Sequence, residues 1–83
     1  MASLYQVGFQ GEGNEEYRHN LTFSPKVAFE TANAALKQSN KNVTFYVYSD
    51  GKESAIPFTD IRHFNMDDPD FEKSLEMIAR EQP

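Results

Sequence analysis

The stretch VTFYVYSDGKESAIPF, residues 43–58, limits what this chain can fold into more than any other part of it. Two runs of alternating residues flank Asp50-Gly51, and an Asp-Gly pair closes a two-residue hairpin because both central positions take positive φ. That turn sets the register of both strands. Ser49 faces Lys52, Val47 faces Ser54, Phe45 faces Ile56 and Val43 faces Phe58, which makes an apolar core face. On the reverse face Tyr48 opposes Glu53, Tyr46 opposes Ala55 and Thr44 opposes Pro57. Proline cannot donate to a ladder, so the second strand is an edge or ends at Pro57.

A second hairpin is predicted nearer the N-terminus. Residues 4–10, LYQVGFQ, alternate so that Tyr5, Val7 and Phe9 share a face, and EYRHNLTF repeats the pattern with Tyr17, His19, Leu21 and Phe23. The intervening GEGNE allows a reversal. Pairing Gln10 with Glu16 aligns Phe9 with Tyr17, Val7 with His19 and Tyr5 with Leu21. His19 is then expected among apolar neighbours at the margin of the core, and Gln6, Gln10, Glu16, Arg18, Asn20 and Thr22 on the polar face with Tyr46 and Tyr48.

Two helices complete the pattern. Ser24-Pro25 is a start signal, a hydroxyl cap followed by a proline whose missing N–H is harmless in the first turn. Behind it Ala28, Phe29, Ala32, Ala35 and Leu36 recur at helical spacing. Three alanines in that stripe let the helix axis lie close to the sheet. The last helix is predicted to start at Asp67 or Asp68 as cap, with Pro69 in the first turn and Phe71, Leu75 and Ile78 as its buried stripe. Asp70 and Glu72 suit its N-terminus and Arg80 its C-terminus. The expectation is an α+β chain of order ββαββα, a four-stranded sheet of two β-hairpins with two helices packed on one face, in a single domain over residues 1–83.

Charge and composition narrow the function classes. Thirteen acidic residues stand against eight basic ones, a net of −5. From residue 67 onward there are six acids (Asp67, Asp68, Asp70, Glu72, Glu76, Glu81) and two bases (Lys73, Arg80), so −4 of that charge lies at one end. Nucleic-acid binding rests on neutralising phosphates with Lys and Arg, and this balance argues against it. The chain has no cysteine, which removes thiolate nucleophiles, thiolate metal sites and disulfides together. MASLYQVGF lacks a basic region followed by a long apolar run, and no segment approaches the roughly 20 apolar residues of a membrane helix. A cytoplasmic, membrane-free protein is expected.

No residue pattern names a reaction. His19 and His63 have no companion at ligand or triad spacing, and the acids of NMDDPDFE lack the glycine and closing glutamate of a calcium loop, so capping accounts for them without a metal. GEGNEE has two glycines but leads into a strand and carries acids that would repel a phosphate. Neither catalysis nor a cofactor is expected. The remaining expectation is a small acidic protein-binding module that inhibits or modulates a larger protein with a basic surface, one that handles nucleic acid being a natural target. Small phage and mobile-element inhibitors share this general composition. Its contact residues are expected among Tyr46, Tyr48 and Glu53 on the open sheet face and Asp70, Glu72 and Glu76 on the last helix, since tyrosine gives large, rigid contact area. A second copy of the chain is the other candidate partner. The alternatives are single strands stacked on Tyr46 and Tyr48, or small-molecule sensing.

Overall fold

The structure, a computed structural model, describes residues 3–11, 13, 15–38 and 42–82. Its elements run β1 (Leu4–Gln10), β2 (Glu16–Arg18), α1 (Pro25–Lys37), β3 (Asn42–Ser49), β4 (Lys52–Pro57), a 3₁₀ turn (Phe58–Asp60) and α2 (Phe71–Glu81). The ββαββα order and the α+β class are those the sequence predicts. The four strands form one antiparallel sheet in the order β2-β1-β3-β4, so the long strands β1 and β3 pair at its centre, from Leu4↔Tyr48 to Gln10↔Asn42.

The Asp-Gly turn behaves as its chemistry requires. Asp50 and Gly51 take φ of 52° and 77°, and β3 and β4 pair from Ser49↔Lys52 to Thr44↔Pro57 in the expected register. The ladder stops at Pro57, one residue short of the expected Val43–Phe58 pair, because the chain turns there into the 3₁₀ segment. Phe58 is nonetheless fully buried, and Ile61 just beyond it joins the core.

Both helices share a core with Tyr5, Val7, Phe45, Val47 and Ile56, which alternate onto one face of the sheet. α1 begins as predicted: the Val27 N–H donates to the Ser24 hydroxyl at 3.3 Å and Pro25 occupies the first turn. Its buried stripe is Pro25, Ala28, Phe29, Ala32 and Ala35, with Leu36 half-buried. Phe29 meets Phe45, Phe58 and Phe71 edge-on at centroid distances of 5.3, 5.1 and 4.8 Å.

α2 starts later than expected, at Phe71 with Asp70 before it, and no side chain caps it. The acids act upstream instead. Asn65 Oδ1 accepts from the Asp67 N–H at 3.0 Å and Asp68 Oδ1 from the Asp70 N–H at 2.9 Å, side-chain-closed turns that use up these groups before the helix begins. The stripe also rotates slightly: Phe71, Leu75 and Ala79 are buried, while Ile78 is partly buried.

The largest departure is β2. Its register with β1 is correct through Gly8↔Arg18, and the His19 N–H donates to the Val7 carbonyl at 2.8 Å. Beyond that Tyr5 pairs with Thr22 rather than Leu21, so the stretch 19–22 holds one more residue than the ladder needs, a bulge that bends the strand away. The face expectation fails with it. α1 lies over β1 and β3 and α2 over β4, and this helix layer stops short of β2. Tyr17, Leu21 and Phe23 are therefore 59%, 52% and 69% exposed, and His19 faces solvent as well.

Candidate functional site

Among the described residues no layer covers the reverse face of the sheet, yet its tyrosines are not free. Gly8, in the middle of β1, leaves a gap into which the Tyr46 ring of β3 lies; a Cβ at residue 8 would come within 2.7 Å of Tyr46 Cε2. Arg18, opposite Gly8 on β2, closes over the ring with its guanidinium 4.1 Å from the centroid. Tyr46 is in consequence only 6% exposed, which corrects its placement as an exposed contact residue.

Arg18 holds the rest together. Its Nε donates to Glu16 Oε1 and its Nη1 to Glu53 Oε1, both at 2.9 Å, and Nη1 also reaches the Tyr48 hydroxyl at 3.2 Å. The Tyr46 hydroxyl donates to Glu16 Oε2 and the Tyr48 hydroxyl to Gln6 Oε1, each at 2.7 Å. Gln6 in turn donates to the His19 carbonyl at 2.7 Å and so ties the bulge to this face. One guanidinium thus links β2, β3 and β4 across β1, in the fork geometry that arginine alone supplies.

The electrostatics follow from that arrangement. The Tyr46 phenol is pushed up to about 12, by burial first and then by its hydrogen bond to the Glu16 carboxylate. Glu16 is held below its ordinary value, chiefly by the bond from Tyr46 and then by Arg18. Burial and the nearby Glu53 charge raise Tyr48. No side-chain polar atom buried among the described residues lacks a partner.

The candidate residues from the sequence fall on two surfaces. Tyr48 and Glu53 meet around Arg18 on the open face, with Tyr46 beneath. Asp70, Glu72 and Glu76 lie on the helix side, facing away from that cluster. Asp70 and Glu72 are exposed; Glu76 is half-buried, accepts from the Ser3 hydroxyl at 3.5 Å and, after Glu72, adds to the rise in the Tyr5 phenol pKa that burial begins. Sequence reasoning missed Arg18 as the hub and Gly8 as its seat. A glycine inside an alternating strand was the available signal, since it marks a bulge or a close approach.

No group of three or more His, Cys, Asp or Glu among the described residues is placed to hold a metal, and no helix there is long and apolar enough to cross a membrane. The molecule is thus an α+β sheet with one face covered by helices and the other by a tyrosine–arginine–carboxylate lattice. No protein-family model, curated protein or solved structure matches the chain.

Proposed function

We propose that this chain is a small, non-catalytic protein-binding module that engages a partner with a basic surface through the acidic side of α2 and the turn before it, and so inhibits or modulates that partner. The supporting observation is the distribution of paired and unpaired charge. Among the described residues the ion pairs are Arg18–Glu16 and Arg18–Glu53, both on the open sheet face. Asp67, Asp70, Glu72 and Glu81 are exposed and make none. A row of unneutralised carboxylates steers and orients a basic partner, and its contribution falls as salt rises.

The internal lattice weakens the alternative of base stacking on the sheet. Tyr46 presents no open ring, and the Tyr48 hydroxyl and Arg18 are already engaged within the chain. The open face and α2 also look in opposite directions, so one flat partner cannot touch both.

A tagged pull-down from lysate at low salt tests the proposal, comparing wild type with Asp70→Lys/Glu72→Lys. Retention of a basic partner by wild type and its loss in the variant is the expected outcome. Equal retention by both would move the contact surface elsewhere, and no retained partner by a folded wild type would remove the module's support.

A further inference from the structure

Tyr17 in β2 and Leu21 just beyond it are exposed apolar side chains that neither helix covers, on a sheet edge that no other strand adjoins among the described residues. Leu21 and the half-exposed Val27 flank a shallow groove whose floor includes Val7, and the Tyr17 ring lies against Phe9 at 5.1 Å. Exposed apolar side chains concentrated on one open edge are how sheets recruit another strand. The opposite edge, β4, is blunted by Lys52 and ends in Pro57.

The backbone of β2 specifies the occupant. His19 bonds to Val7, and hydrogen bonding alternates along an antiparallel pair, so Tyr17 is the next residue to bond β1. The N–H and C=O groups of Glu16 and Arg18 therefore point outward from the sheet. An antiparallel copy of β2 can pair with these groups about a two-fold axis at Glu16, Tyr17 or Arg18. An axis at Glu16 sets Glu16 against Glu16, and one at Arg18 sets Arg18 against Arg18. The axis at Tyr17 sets each Glu16 against the other copy's Arg18, within hydrogen-bonded pairs, and Tyr17 against Tyr17 at the closer, non-bonded position. The same register brings Glu15 opposite His19.

We infer that β2 is a self-pairing edge: two copies of this chain join antiparallel about Tyr17 into one eight-stranded sheet, with the Tyr17 rings covering each other beside the two Phe9 rings. Opposite charges directly across a strand pair favour this register, and the like-charged registers are penalised. The salt-bridged row Glu53–Arg18–Glu16 of each copy then continues across the axis. An isologous interface of this type closes on itself and leaves no free β2 edge. It lies at the opposite sheet edge from the strand that α2 covers, so it stands or falls independently of the binding role proposed above.

Sedimentation velocity of the full chain from about 10 μM to about 1 mM tests it, alongside amide exchange of Glu16 and Arg18 by NMR. Wild type is expected to move from 9.5 kDa toward twice that mass, with exchange at the Glu16 and Arg18 amides slowing at least tenfold as dimer accumulates. Tyr17→Lys places like charges face to face at an exposed position. It is expected to stay at 9.5 kDa throughout with an unchanged circular-dichroism spectrum. A wild type that remains monomeric at 1 mM, a Tyr17→Lys variant that dimerises equally well, or a dimer whose Glu16 and Arg18 amides stay unprotected would each overturn the inference.

Discussion

Gly8 and Tyr46 show how one residue's missing side chain sets another's environment. A glycine inside a strand ordinarily weakens it, and alanine in its place ordinarily gains stability by restricting the unfolded chain. Here the sign reverses. An alanine Cβ would meet Tyr46 at 2.7 Å and the Glu16 carboxyl at 3.0 Å, so the ring must lift from β1 and the Glu16 bond must break or shift. Gly8→Ala is expected to destabilise by about 1–3 kcal/mol, the usual range for overpacking, as read by urea unfolding; an unchanged or raised midpoint would show that the ring moves aside freely. Glu16 carries a second consequence. Its pKa is lower folded than unfolded, so its contribution is present above its ordinary value near 4.5 and is lost as pH falls through that value and below it. The stability gap between wild type and Glu16→Gln should therefore be wide at pH 7 and narrow toward pH 3. A gap that stays constant would mean that the carboxylate's charge is immaterial.

At the scale of elements, α1 depends on its start. The Ser24 hydroxyl satisfies the Val27 N–H, and the first turn holds no acidic residue to help it. Ser24→Ala is expected to cost about 1 kcal/mol in thermal or denaturant unfolding, and Ser24→Asp to restore most of it. This cap, with its proline, was legible in the sequence, and so was the β3–β4 hairpin, because both are dictated by residues adjacent in the chain. β2 was legible only as far as Arg18. Alternation continues through Leu21 and Phe23, but alternation reports a face and carries no information on how far a helix layer extends or where a bulge adds a residue. The start of α2 was misplaced for a related reason: Asn65 and Asp68 can close turns as readily as they cap a helix, and local chemistry does not choose between them. The polar lattice was half legible. Periodicity put Glu16, Arg18, Tyr46, Tyr48 and Glu53 on one face, whereas their convergence on Arg18 needed the sheet order β2-β1-β3-β4, which brings strands distant in sequence side by side.

Across the whole molecule, cohesion concentrates in one ring. The stripe of α1 is mostly alanine, which brings the helix close to β1 and β3 but leaves Phe29 as its only large, fully buried side chain. That ring touches the sheet through Phe45, the connector through Phe58 and α2 through Phe71, each in the edge-to-face arrangement that aromatic quadrupoles favour. The two helices and the sheet are thereby coupled through a shared neighbour. Phe29→Ala removes the neighbour and leaves a cavity, at a cost of about 3–5 kcal/mol. Small domains have total stabilities toward the low end of about 5–15 kcal/mol, so this variant should be largely unfolded at 37 °C. Phe29→Leu keeps most of the volume and loses the aromatic contacts, and is the variant in which the coupling can be read. Amide exchange should then accelerate more in α2 than in β3, since β3 retains its ladders to β1 and β4 whereas α2 has no ladder and is held by side-chain packing through Phe71, Leu75 and Ala79, the first of which loses its ring partner. Equal acceleration in α2 and β3 would instead mean that the helices and sheet open as one unit, with the ring contributing bulk alone.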